Sequence, residues 1–196
     1  MADKVEIVNK GLILAGETKI NALTEENKKA RTANIIWNSI LDEVLSAGPV
    51  WNFAIKRVAL GLESSAPLYE WDNQFTKPSD CLRLVRSEED EEYAEEDGLI
   101  LSNQSTLNIK YLFRQEDTSK FSPGFVNCLS TRLSVDFALQ ISQNPELAET
   151  LHQLYQLRLG RAGSQDAKAD TPEDPIIDDW ISSREEGTYD HTRTNR

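Results

Sequence analysis

The densest group of side chains that could do chemistry is an acidic run from Glu88 to Asp97. It holds eight carboxylates within ten residues, and carboxylates serve as general acids, general bases or ligands of hard cations. The run lacks the alternating Asp pattern and the downstream Glu of a calcium-binding loop. A catalytic carboxylate also needs a partly buried setting that raises its pKa. We therefore interpret the run as a solvated loop, with an electrostatic role as the alternative.

The other candidates for catalysis or metal binding are isolated residues. His152 has no catalytic motif around it, and a lone histidine is more often a packing or surface residue than a catalyst. Cys81 and Cys128 are the only cysteines; they lack zinc-ligand spacing with either histidine, so we expect them to be reduced and structural. The chain has no nucleophile elbow, no phosphate-binding glycine loop and no His-Glu-x-x-His pair. The sequence thus predicts no catalytic, cofactor or metal site, and a protein that is not an enzyme.

Aromatic residues could provide a stacking platform for a sugar or a base. Packing in a core is the favoured interpretation, because Trp37 lies on an apolar helix stripe and Trp51 directly follows a helix stop. We extend the same interpretation to Phe53 and Trp71. Trp180 differs, because it stands in a polar segment with little apolar surface nearby, which favours an anchoring contact with another subunit as much as local folding back.

The composition limits the classes of partner. The chain has 196 residues, a net charge of -12 and 39% hydrophobic residues, which suits one main body of ordinary size. No stretch approaches the about 20 apolar residues of a membrane helix, so we expect no membrane contact. The N-terminus lacks the pattern of a signal peptide, which favours a cytosolic origin. The acidic excess disfavours non-specific attraction to nucleic acid.

Helical periodicity is clearest at both ends of the chain. A first helix is predicted from Lys4 to Ala15 with Gly16 as its cap, and a second begins after Thr24 as N-cap and ends at Gly48. The second helix carries an apolar stripe made of Ala30, Ala33, Trp37, Ile40, Leu41, Val44 and Leu45. Ser122-Pro123 and Asn144-Pro145 each predict the start of a further helix. The last of these is expected to end near Gly160 to Gly163, or to continue to Ala169.

Alternating residues between the second and third helices predict strands. Cys81 to Arg86, Leu99 to Leu101 and Leu107 to Phe113 alternate, and we expect them to form one small antiparallel sheet. For residues 51–62 the sequence allows either a strand or an irregular edge, and both alternatives stay open. The predicted fold is therefore mainly α: a four-helix body over residues 1–163, with a β lobe at about 51–114 inserted between helices 2 and 3.

Residues 164–196 are predicted to form an extended C-terminal tail. The segment is polar and contains Pro172 and Pro175, and its single apolar cluster could anchor it to a partner. We expect the tail to become ordered when that cluster docks on another chain or a neighbouring protomer. The predicted partner-binding residues are Ile176, Ile177, Trp180, Ile181 and Arg184.

Three segments carry a resemblance to a known family. They are a Leu-x-x-x-Gly-x-x-x-Ile corner from Leu12 to Ile20, a Trp-x-Phe-Ala junction from Trp51 to Ala54, and a strand entry from Lys77 to Arg83. Together with the C-terminal helical pair, this order resembles the head-to-tail adaptor of short-tailed phages, also called tail tubular protein A. Lys77 departs from the pattern, because an apolar residue is common in the family before this Pro.

The resemblance implies a non-enzymatic virion protein of the podovirus tail, assembled in the host cytoplasm. It would form a homo-oligomeric ring, dodecameric in characterised relatives, that docks on the portal and receives the tail nozzle protein. Double-stranded DNA would pass through the ring without specific binding. Two alternatives stay open: a head-completion connector of another tailed-phage type, which a neighbouring nozzle gene would argue against, and a tail-associated cell-wall hydrolase, which activity on peptidoglycan would reveal.

Overall fold

A computed structural model describes residues 3–87 and 92–167. Helix α1 spans Lys4–Leu14 and begins with a capping box, in which Asp3 and Glu6 each accept a hydrogen bond from the other's backbone N–H. Its C-terminus closes at Gly16, whose φ of 79° is a conformation that favours glycine. The predicted first helix is confirmed.

Helix α2 spans Lys28–Ala47, and all seven residues of its predicted stripe are buried. The helix begins later than expected, because Asn27 rather than Thr24 accepts the capping hydrogen bond, from the Ala30 N–H at 2.8 Å. The preceding residues form a turn instead, in which the Glu25 carboxylate accepts hydrogen bonds from the Asn21 and Ala22 N–H groups.

Helices α3, Pro123–Gln140, and α4, Pro145–Ala167, start at the two predicted Pro signals. Helix α3 contacts α1, α2 and α4 and is the central helix of the body. Its buried Ser130, Thr131 and Ser134 donate hydrogen bonds to carbonyls within the same helix, which satisfies their hydroxyls away from water. Helix α4 continues to Ala167, so residues 164–167 of the predicted extended tail are helical.

The expectation of a mainly α fold is wrong, because the described residues form four helices together with two three-stranded antiparallel sheets. The fold is α+β. The first sheet has the order β1-β6-β3 and the second β2-β5-β4. The strands are β1 Ile55–Ala59, β2 Asn73–Thr76, β3 Cys81–Ser87, β4 Ala94–Glu96, β5 Leu99–Ser102 and β6 Asn108–Phe113.

The three predicted strands are present but do not share one sheet. Leu99–Ser102 pairs with Asn73–Thr76 and Ala94–Glu96 in the second sheet, not with Asn108–Phe113. The two partners were missed because they are short, four and three residues, and contain Asn, Ala and Glu, which are depleted in strands. Their strands are set by pairing rather than by local preference. The segment left open becomes a 3₁₀ turn, Asn52–Ala54, followed by the edge strand β1.

Strand β6 lies between two hydrophobic cores. Leu112 packs into the core formed by the helices, whereas Ile109 and Tyr111 pack against Phe75 and Ile100 of the second sheet. Alternate residues of a strand point to opposite faces, so the first sheet has the helices on one face and the second sheet on the other. The molecule therefore has three layers: helices, first sheet, second sheet.

Tyr155 gives a stability prediction for the helical layer. Its side chain is 3% exposed, and its hydroxyl has no hydrogen-bond partner among the described residues. Burial, with a further contribution from Glu43, raises the pKa of Tyr155 to about 12. Because an unpaired buried hydroxyl costs about 1–3 kcal/mol, we expect Tyr155→Phe to leave the free energy of unfolding unchanged or to raise it by about 1 kcal/mol.

The matched control is Tyr111→Phe. The Tyr111 hydroxyl donates to Asp80 Oδ1 at 3.1 Å, and its loss should lower the free energy of unfolding by about 1–2 kcal/mol. Urea unfolding of both variants measures the two effects. Equal destabilisation by both substitutions would contradict the prediction.

Candidate functional site

Trp51 anchors the junction where the chain leaves the helices and enters the sheets. It is fully buried, and its Nε1 donates to the Val44 carbonyl in the last turns of α2 at 3.1 Å. Its ring meets that of Phe125 edge to face at 4.9 Å, and Phe53 packs beside both. The core interpretation of Trp51 is confirmed, and Trp37, 4% exposed, also lies in the helical core.

Arg83 joins the first sheet to the same end of α2. Its Nη1 donates to the carbonyls of Ser46, at 3.1 Å, and Gly48, at 3.3 Å. A cation at the C-terminus of a helix also interacts favourably with the helix dipole. Arg114, which follows β6, adds a forked ion pair with Asp42 of α2, with Nε 2.6 Å from Oδ1. The sheet is thus fixed to one helix at several points.

Asp80 organises the entry into β3. Its carboxylate accepts hydrogen bonds from Lys56 Nζ at 2.6 Å and from Tyr111, and its backbone carbonyl accepts one from the Arg114 N–H. The hydrogen bond from Lys56, followed by that from Tyr111, holds the pKa of Asp80 below its ordinary value. Asp80 therefore ties β1, β6 and β3 together.

Lys77, the departure from the family pattern, has a partner in the second sheet. Its Nζ lies 2.6 Å from Glu95 Oε2 of β4, and this hydrogen bond raises the pKa of Lys77. This ion pair links the entry of β3 to the second sheet.

The Leu12 to Ile20 corner fixes how the chain leaves α1. The Asn9 side chain donates to the Ile20 carbonyl at 2.9 Å and accepts from the Ile20 N–H at 2.8 Å. Leu12 and Ile20 are both buried in the helical core. All three segments that carry the resemblance are therefore structural junctions.

Three cations lie side by side at one end of the first sheet. Lys110 of β6 stands directly opposite Arg57 of β1 and, on its other side, opposite Arg86 of β3. We call this set the cation row. It borders a cavity of about 420 Å³, to which Ser87 and Asn108 add polar groups.

The described part of the acidic run is a hairpin rather than a loop. Ala94–Glu96 forms the edge strand β4, and Asp97-Gly98 turns the chain into β5. The interpretation as a loop is therefore wrong for this part of the run, whereas its described carboxylates are exposed to solvent as expected. Glu92, Glu96 and Asp97 are exposed, and we call these three residues the acidic hairpin. Their exposure provides none of the burial that would raise a catalytic pKa.

The long loop between β1 and β2 exposes apolar side chains. Leu62, Leu68 and Tyr69 are 54%, 98% and 74% exposed. Trp71 is half-buried beside a cavity of about 270 Å³ that Leu68 and Tyr69 also line. Trp71 was expected in a core, but it belongs to neither hydrophobic core.

The isolated candidates for chemistry stay isolated in the structure. His152 is exposed on α4. Burial raises the pKa of both thiols, that of Cys128 to about 11. Residues 3–87 and 92–167 contain no group of three or more His, Cys, Asp or Glu that could hold a metal ion.

No helix in the described part of the chain is long and apolar enough to cross a membrane. The predicted partner-binding residues of the tail lie outside the described residues. They are Ile176, Ile177, Trp180, Ile181 and Arg184.

Sequence reasoning missed the cation row. Arg57, Arg86 and Lys110 are far apart in the chain, and each is an ordinary polar residue of its own strand. Only the pairing register brings them together. A local sequence pattern carries no signal for such a row.

No protein-family model matches the chain, and no curated protein matches it significantly.

Proposed function

We propose that this protein is a structural component of a phage tail, a ring adaptor that joins the portal to the tail nozzle and lets double-stranded DNA pass. The proposal starts from the resemblance of the three junction segments to the head-to-tail adaptor of short-tailed phages. It assigns the chain a role in holding partners in position, with no catalytic step.

The observation that carries the proposal is that two of these segments attach the sheets to the end of α2. Trp51 and Arg83 both donate to carbonyls at the end of α2, the first from the junction and the second from the sheet. A body fixed in this way presents its helices and its second sheet at one set orientation. A ring that joins two different partners along its axis needs that rigidity, because each layer must contact its own partner.

The charged surfaces support assembly into a ring. The cation row and the acidic hairpin are chemically complementary and lie on different sheets of one protomer. Contacts between two different surfaces of identical subunits are head-to-tail, and they close into rings when the rotation allows it.

Passage of DNA is consistent with the charge of the chain. A net charge of -12 opposes tight binding of phosphates, and this effect acts within about 10 Å at 0.1 M salt. DNA would move through such a ring without being held.

Assembly on the portal tests the function. We expect the purified protein, mixed with its portal, to form a closed ring on the portal vertex, measured by light scattering and negative-stain microscopy. The portal alone and the protein alone are the controls. A protein that stays monomeric and never binds the portal would contradict the proposal.

A deletion of residues 170–196 separates the tail from the body in the same assay. Because the body is expected to fold without the tail, the melting curve should be nearly unchanged while portal binding or ring stability weakens. Normal assembly of the deletion variant would exclude the tail as the docking segment and would leave the adaptor function standing.

A further inference from the structure

The cation row is unusual for a chain with this charge. Its three members lie in direct cross-strand register, and like charges placed directly opposite each other destabilise a sheet. The chain as a whole carries 33 acidic and 21 basic residues. The adjacent pair Arg57 and Lys110, which borders a cavity, therefore indicates a surface that an anionic partner would stabilise.

Two members of the cation row have no ion-pair partner among the described residues. Arg57 and Lys110 form no ion pair with any residue of 3–87 or 92–167, whereas Lys56, the neighbour of Arg57, pairs with Asp80. Arg57 is exposed and Lys110 is half-buried. Both cations can thus donate hydrogen bonds to carboxylates from outside the protomer, and charge-assisted hydrogen bonds to carboxylates are among the stronger ones.

The acidic hairpin offers the complementary chemistry, but it lies on the other side of the first sheet. Lys110 shares its face of β6 with Leu112, which points to the helices. The second sheet, which includes the acidic hairpin, packs on the opposite face, against Ile109 and Tyr111. Since the sheet separates the two surfaces in one protomer, their contact requires two protomers.

We propose that the cation row of one protomer binds the acidic hairpin of a second copy, head to tail, and that this contact builds the ring. The inference rests on the proposed function. Each copy carries both surfaces, so every interface in a closed ring would be the same. Strands β4 and β1 are both edge strands, so a neighbouring chain can approach each of them. A second copy is favoured as the occupant because every copy carries the exposed carboxylates of the acidic hairpin, which are complementary in charge to the cation row.

A charge-swap experiment tests the contact. One variant, Arg57→Glu/Lys110→Glu, makes both surfaces acidic; the other, Glu92→Lys/Glu96→Lys, makes both basic. Either variant alone should need at least about tenfold more protein to assemble than the wild type, since like charges would then face each other. An equimolar mixture should assemble again, with the two variants alternating at a 1:1 ratio in native mass spectrometry.

The control variant is Lys28→Glu/Arg31→Glu, on the exposed surface near the start of α2. It changes the net charge by the same amount as Arg57→Glu/Lys110→Glu and should assemble like the wild type. Melting curves of all variants check that each one folds. Where the wild type assembles only on portals, the same comparison is made on portal-bound particles.

Each outcome decides the proposal. Wild-type assembly by either charge-swapped variant overturns it, and so does a mixture of two folded variants that fails to assemble. If Arg57→Glu/Lys110→Glu loses binding of a duplex oligonucleotide at low salt and still assembles, the row contacts nucleic acid and the proposal is wrong. If the mixture of variants assembles but the wild type never binds the portal, the contact between protomers is supported and the adaptor function is refuted. If both charge-swapped variants form rings on the portal like the wild type, the adaptor function is supported and the contact is refuted.

Discussion

Replacing Trp51 with alanine is expected to lower the free energy of unfolding by about 3–5 kcal/mol. The side chain is fully buried, contacts the rings of Phe53 and Phe125, and donates a hydrogen bond to Val44. Alanine would leave a cavity between α2 and α3 and would remove the bond that fixes the junction to α2. Urea unfolding followed by circular dichroism measures the loss.

Two variants separate the causes of this effect. Trp51→Phe keeps most of the ring volume but loses the hydrogen bond to Val44, so we expect a smaller loss, of about 1–2 kcal/mol. Tyr69→Ala removes an aromatic ring that is 74% exposed and should change stability by less than about 0.5 kcal/mol. An unchanged melting temperature in Trp51→Ala, combined with lost assembly, would instead make Trp51 an interface residue.

Replacing Gly11 with alanine is expected to be the next most damaging change, at about 1–3 kcal/mol. A Cβ built at Gly11 would lie 2.9 Å from the Ser130 backbone oxygen and 3.2 Å and 3.3 Å from Phe137 and Leu133. Helix α1 could accept it only by moving away from α3. The gain in helix propensity, about 1 kcal/mol, would not offset the lost packing.

The matched control for Gly11 is another helical glycine in the same chain. Gly160 lies on the exposed side of α4, and a Cβ there meets no atom within 4 Å. Gly160→Ala should therefore raise the free energy of unfolding, by up to about 1 kcal/mol. Thermal melts of the two variants should shift in opposite directions. A stabilised Gly11→Ala variant would show that α1 and α3 do not pack as closely as described.

The ion pairs at the junction help to explain how the fold accommodates so acidic a chain. The cations at the junction pair with particular acceptors: Arg83 with the end of α2, Arg114 with Asp42, and Lys77 with Glu95. The excess of carboxylates is left on exposed positions such as Glu92 and Glu96. Exposed like charges repel only weakly in water, so the acidic surface costs the fold little and is available for contacts with other chains.

The helices could be predicted from the sequence because their signals are local. The stripe of α2 repeats at helical spacing within one segment, and Ser122-Pro123 and Asn144-Pro145 place caps directly before α3 and α4. The burial of Trp51 also followed from its position after a helix stop. Such features depend on neighbours a few residues away, which the sequence displays directly.

The sheets and the surfaces depended on distant residues. Asn73–Thr76 and Ala94–Glu96 become strands only because Leu99–Ser102 lies between them, and the fold class changes with them. Arg57, Lys110 and Arg86 become a row only through the register of three strands. The sequence by itself determined the four helices, the starts of α3 and α4 and the buried junction, since these follow from local signals, whereas the cap of α2 lies at Asn27 rather than at Thr24. Only the tertiary structure decided the two-sheet topology and the cation row, because strand pairing joins residues that are far apart in the chain.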